Sequence, residues 1–211
     1  MSTEKSVSYQ IKNSYSVLNE PTSQTKNVWL VFHGIGYLSR YFLKYFKHLD
    51  PEENYIIAPQ AQSKYYLNGE YRHVGASWLT REYLEEEIEN VLNYLDAVYK
   101  AENLSEVDNL NILGYSQGVS IATRFVARRK INCKNLIMHS GKVPQELSHE
   151  DFEFSENTKF SFIYGIHDEY LNSEIVKVEE ERLKKIFSKN LEILSFDGGH
   201  EVNTKMISKF V

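Results

Sequence analysis

The chain has 211 residues, 42% hydrophobic and 25% charged, with a net charge of −5 and only 4 prolines. That length buries a substantial core without disulfide or metal staples, and one domain over residues 1–211 is expected. The acidic balance and the lack of biased tracts argue against a phosphate-binding face, so nucleic acid is not an expected partner.

Residues 1–6 (Met-Ser-Thr-Glu-Lys-Ser) hold no apolar core for a leader and read as a flexible tail. No apolar run approaches membrane-spanning length, and a cytoplasmic protein is expected. Residues 7–18 alternate loosely (Val7, Tyr9, Ile11, then Tyr15 and Val17), as one or two edge strands do. Val28-Trp29-Leu30-Val31-Phe32 is continuously apolar, the pattern of a strand buried on both faces of a parallel sheet. It ends in His33-Gly34-Ile35-Gly36. Ser39 is a candidate cap for a helix through Phe42, Leu43, Phe46 and Leu49, stopped by Asp50-Pro51.

Tyr55 to Pro59 reads as a strand, and residues 60–76 as a long connection rich in tyrosine, with Trp78 just after it. Residues 81–100 have the clearest helical period, with Leu84, Ile88, Val91, Leu92, Leu95 and Val98 on one side. The glutamates opposite read as a solvated face, and Arg128-Arg129-Lys130 as a helix end where cations suit the dipole. Further strands end at Met138, Tyr164 and Phe196, and Val202, Met206, Ile207 and Phe210 mark a final helix. Strands alternating with helices predict an α/β fold with a mostly parallel central sheet covered on both faces. In such sheets chemistry collects at the carboxyl ends of the strands.

The stretch that organises the chain is Leu110-Asn111-Ile112-Leu113-Gly114-Tyr115-Ser116-Gln117-Gly118, followed at once by a helical pattern. Strand, sharp turn and helix around Gly-x-Ser-x-Gly form a nucleophile elbow, whose neighbours must be small because strand and helix crowd there. A serine hydroxyl needs a base to take its proton, and the base needs an acid to hold its tautomer. Ser116, Asp168 and His200 follow successive strand ends in the Ser…Asp…His order of α/β-hydrolases.

Rival readings are open at several residues. His33 and His139 also sit at strand ends, but the base belongs after the last strand, so both read as structural. Asp197 and Glu169 compete with Asp168 as the acid. His167-Asp168 lacks a second ligand cluster at metal spacing, so no metal and no cofactor are expected. Cys133 is the only cysteine, which leaves no disulfide framework, and it reads as an inert thiol. Tyr65, Tyr66, Tyr71 and Trp78 serve equally well as pocket wall or as core cover.

Five segments together resemble the small α/β-hydrolases of the carboxylesterase/phospholipase family, which includes the acyl-protein thioesterases. They are Phe32-His33-Gly34-Ile35-Gly36, Gly114-Tyr115-Ser116-Gln117-Gly118, Ser140-Gly141-Lys142-Val143-Pro144, Gly165-Ile166-His167-Asp168 and Gly199-His200-Glu201. The resemblance implies Ser116 as nucleophile, Asp168 as acid and His200 as base, with backbone N–H groups of Gln117 and Ile35 as the oxyanion hole. The position of Ile35 after its strand, between glycines, favours the same donor independently.

Two departures stand out. Tyr37 follows the His-Gly-x-Gly turn, where family members commonly have Asp. Leu79-Thr80 follows Trp78, where they commonly have Phe-Asp. Tyr37, Tyr66 and Trp78 are candidate walls of a substrate pocket. The resemblance implies a short-chain or soluble ester, thioester or lysophospholipid-like small-molecule substrate and is compatible with a homodimer. The short connection from Met138 to Phe160 leaves little room for a lid, which favours soluble over interfacial substrates. A silent binding protein and a serine peptidase on the same scaffold are the alternatives.

Overall fold

The apolar run at residues 28–32 becomes the third strand from one edge of a seven-stranded sheet. Its spatial order is β1 (Tyr15–Leu18), β3 (Asn54–Pro59), β2 (Asn27–Phe32), β6 (Leu110–Tyr115), β7 (Asn135–His139), β8 (Lys159–Gly165) and β9 (Leu191–Phe196). Only β1 runs antiparallel, against β3. Every other neighbouring pair is parallel. The computed structural model describes residues 2–211, so Met1, the start of the expected tail, lies outside the described residues.

The pleat sends alternate side chains into two cores. On one face Leu30, Phe32, Ile112, Leu136, Met138 and Phe162 meet helices α2 (Leu84–Ala101), α3 (Gln117–Arg129) and α4 (Ser173–Phe187). On the other, Trp29, Val31, Leu113, Ile137 and Ile163 meet the short helices α1 (Ser39–Phe42) and α5 (Thr204–Ile207). Continuous hydrophobic strands are what a sheet covered on both faces demands. Burial of such side chains, at about 25 cal/mol per Å² of apolar surface, is the main force holding the layers together.

Five expectations change in detail. Of residues 7–18, only Tyr15–Leu18 form a strand. Ser39 does not cap its helix: its hydroxyl meets Ser16 at 2.9 Å, and its own N–H donates to Gln60 Oε1 at 2.9 Å. The helix itself breaks into a 3₁₀ turn at Leu43–Phe46. The long connection is a β-hairpin, β4 (Ser63–Tyr66) against β5 (Val74–Ser77), with a 3₁₀ turn at Leu67–Gly69. The acidic face of α2 is not wholly solvated either. Arg128 pairs with Glu85, and Arg129 with Glu89 and Asp96, tying the end of α3 to α2.

Candidate active site

Ser116 sits between β6 and α3 with φ 54° and ψ −119°, a conformation that costs an L-residue strain and that persists because its surroundings fix it. A Cβ at Gly114 would lie 2.5 Å from Gly118 O, and one at Gly118 would collide with Phe32 O. Glycine is therefore compulsory at both positions, and β2, β6 and α3 meet there at backbone contact. The Ser116 N–H donates to His139 O at 2.9 Å, which anchors the turn to the next strand.

The structure brings Ser116, His200 and Asp168 into one hydrogen-bonded chain. His200 Nε2 is 2.9 Å from Ser116 Oγ, and His200 Nδ1 is 2.8 Å from Asp168 Oδ2. Asp168 is buried, and its other oxygen accepts the N–H groups of Tyr170 at 2.8 Å and Leu171 at 3.0 Å. The carboxylate thus holds Nδ1–H and leaves Nε2 as acceptor toward the serine. The rival acids stand apart: Asp197 pairs with His167 Nε2 at 3.2 Å on the exposed surface, and Glu169 makes no hydrogen bond to His200.

Two aromatic rings, unremarked in the sequence, bracket the base. Tyr170 meets the His200 ring edge-on at 4.7 Å between centroids, and Tyr115 lies 5.4 Å away on a tilted plane. The Tyr115 hydroxyl also donates to His200 O at 2.9 Å. Position was the available signal: Tyr115 is the residue before Ser116, and Tyr170 comes two after Asp168.

The backbone N–H groups of Ile35 and Gln117 make no hydrogen bond within the chain among the described residues. Two unspent amides near a nucleophile suit a developing oxyanion. Both are held by the hairpin. Gly36 N–H donates to Ala76 O at 2.9 Å, and a Cβ at Gly75 would lie 2.6 Å from Gly36 O. The Gln117 side chain accepts Trp78 N–H at 2.9 Å and donates to Leu79 O at 2.9 Å, stapling the elbow to the chain after β5.

Of the expected pocket walls, Trp78 is fully buried: its Nε1–H donates to His33 O at 2.8 Å, and its ring packs on Phe32 and His33. It belongs to the core, because an indole with a satisfied N–H is best placed beside the strand end it supports. Tyr37 is half-buried and turns its hydroxyl to Tyr45 at 3.1 Å. Tyr66 is exposed on the outer hairpin with its ring against Tyr71, while the Tyr65 hydroxyl is the one beside Gly36.

His33 and His139 are structural. His33 donates from Nδ1 to Gly34 O and accepts Ala61 N–H at Nε2, and burial lowers its pKa to about 4. His139 accepts Asn203 N–H at 3.1 Å, so it anchors the loop that carries His200; burial first, then the His200 charge, lowers its pKa to about 3. Beneath the elbow, buried Glu179 accepts Val143 N–H at 2.9 Å, and Arg182 donates to the carbonyls of Val143, Pro144 and Leu147. That clamp holds the loop whose Gly141 lies against Ser116 O. No group of three or more His, Cys, Asp or Glu among the described residues is placed to hold a metal ion.

A largely parallel sheet with a nucleophile elbow, and with an acid and a histidine after later strands, defines the α/β-hydrolase fold. The chain belongs to the phospholipase/carboxylesterase family, whose model matches residues 13–211, and it is a hydrolase. Among solved structures it is similar to acyl-protein thioesterase 2 of Zea mays, at 17% identity and a TM-score of 0.69, over 94% of this chain and 99% of that one. A phospholipase/carboxylesterase of Dyadobacter fermentans aligns at 18% identity and a TM-score of 0.68, over 96% of each chain. Esterase PE8 aligns at 20% identity and a TM-score of 0.68, over 95% of this chain and all of that one (100%). At such identities the likeness is one of fold. No curated protein sequence matches the chain. Among the described residues, no helix is long and apolar enough to cross a membrane.

Proposed function

We propose that the chain hydrolyses esters or thioesters of small, soluble carboxylic acids through an acyl-enzyme on Ser116. His200 takes the hydroxyl proton as Ser116 Oγ attacks the carbonyl carbon, and the N–H groups of Ile35 and Gln117 receive the oxyanion. The intermediate collapses as His200 returns that proton to the departing alcohol or thiol. Water then attacks the acyl-enzyme with His200 again as base, releasing the carboxylic acid and restoring Ser116. Asp168 keeps the ring in one tautomer and offsets the positive charge it gains.

The observation that carries this reading is the unbroken chain from Ser116 Oγ through His200 to a buried Asp168, at 2.9 and 2.8 Å. An open rim, with Ile35 and Tyr170 both exposed, supports soluble substrates over interfacial ones. The thioesterase name borne by one similar structure supports testing thioesters beside esters.

The test is labelling with a fluorophosphonate probe followed by peptide mapping. Label on Ser116 that is lost in Ser116→Ala is the expected result. A folded wild type that takes no label overturns the reading in favour of a silent binding protein. Faster turnover of p-nitrophenyl butyrate than of emulsified long-chain triglyceride is expected, and equal rates would refute the preference for soluble substrates.

A further inference from the structure

The sheet face under α1 and α5 changes character along its length. Toward the carboxyl edge β6, β7, β8 and β9 present Leu113, Ile137, Ile163 and Leu194. Two residues earlier on each strand, and so on the same face, stand Asn111, Asn135, Ser161 and Glu192. The turn Ser208–Phe210 forms one wall of a cavity of about 520 Å³ at this polar end, through Lys209 and Phe210. That volume lies in the range of small-molecule sites, roughly 300–1,000 Å³.

Its lining is cationic. Lys134, Lys159, Lys189 and Lys209 line it together with Glu192 and with Val211, the last residue of the sequence, in a chain whose net charge is −5. None of the four lysines forms an ion pair among the described residues. The floor is polar although buried: Asn135 is 5% exposed and Ser161 2%. Behind that floor, Asn111 accepts Asn135 Nδ2–H at its Oδ1 at 2.6 Å, and its own fully buried Nδ2 has no partner. A buried donor without an acceptor is rare enough in folded proteins to call for a cause.

We propose that this cavity binds an anion bearing a phosphate group, either a free phosphorylated molecule or a lipid headgroup. Lysines supply point charges suited to phosphate, and the buried Ser161 hydroxyl and the second hydrogen of the Asn135 amide supply directed donors. The site lies at the amino-terminal ends of the strands, opposite the Ser116 edge, and does not depend on what Ser116 does.

The test titrates the full chain, ¹⁵N-labelled, with inorganic phosphate and then glycerol 3-phosphate, at constant ionic strength balanced by chloride. Saturable shifts at Lys134, Asn135, Ser161 and the Asn111 side-chain amide are expected. The double reversal Lys159→Glu/Lys189→Glu, at two exposed positions, should weaken binding about tenfold or more. Retained fold in that variant is checked by its unchanged amide spectrum away from the cavity. Co-sedimentation with phosphatidylcholine vesicles only when they contain phosphatidic acid, competed by inorganic phosphate, would identify a lipid source. Saturable binding of the soluble ligands without co-sedimentation would identify a free one. Shifts that grow linearly with phosphate, or that persist in the reversal variant, would overturn the proposal.

Discussion

The two sides of Ser116 are held in different ways. On one side, Asp168 and His200 stand within a few residues of β8 and β9, and their contacts are mostly to those same turns. On the other side, Ile35 and Gln117 depend on a hairpin that starts some thirty residues after Ile35 and is docked by one backbone bond, a glycine contact and a glutamine side chain. Under the proposed mechanism, proton transfer rests on the turns that follow β8 and β9, and charge stabilisation on the docking of the hairpin. The first leans on elements remote in sequence only through His139, which accepts Asn203 N–H, and Tyr115, which donates to His200 O. The second is exposed to changes remote from the serine.

Breaking the first side should have the largest effect. Ser116→Ala or His200→Ala is expected to lower kcat about 10⁵-fold or more in a steady-state ester assay, with unchanged circular dichroism. Asp168→Asn should cost about 10⁴-fold, because the amide favours the wrong tautomer of His200. On the second side, Gly75→Ala forces a Cβ against Gly36 O and should push the hairpin off the oxyanion loop. A loss of about 10²-fold in kcat is expected, the scale of one missing oxyanion donor. An equal loss from Gly75→Ala and from Asp168→Asn would erase the contrast. Gln117→Leu should lower stability by about 1–3 kcal/mol in urea unfolding, since it leaves buried partners such as Trp78 N–H unpaired.

A separate effect, on stability alone, is expected in acid. His33 has a folded pKa of about 4, below its ordinary value of 6.5, so the unfolded chain binds the proton first. Its contribution is full above pH ~6.5 and drains away as pH falls toward 4, by at most on the order of 3 kcal/mol. His33→Gln, which can keep one of the two hydrogen bonds, should flatten that acid limb in denaturation curves recorded between those limits. A limb of unchanged slope would mean that His139 or another group carries it.

What was legible follows the same division. The elbow could be read because Gly114 and Gly118 answer a steric demand made within five residues, and the order of Ser116, Asp168 and His200 follows strand ends visible as apolar runs. The hairpin was not legible, since Ser63–Tyr66 and Val74–Ser77 carry no clean alternation and their pairing is settled by Gly75 and Ala76 meeting Gly36. Trp78 was ambiguous for a similar reason: an aromatic residue does not declare which partner its N–H will find, and here it finds His33 O. Ser39 has the composition of a cap, yet Gln60 reaches its N–H from another strand end.

Ser116 and His200 are 84 residues apart in the chain, with three strands between them. During synthesis Ser116 leaves the ribosome long before His200 does. A nascent chain ending before β9 already contains every residue of the elbow but lacks His200, the partner of Ser116 Oγ. In refolding, recovery of helix content should precede recovery of turnover, because such distant contacts close late. Under the proposed mechanism, the first turnover event therefore dates the moment at which the sheet acquires its last strand.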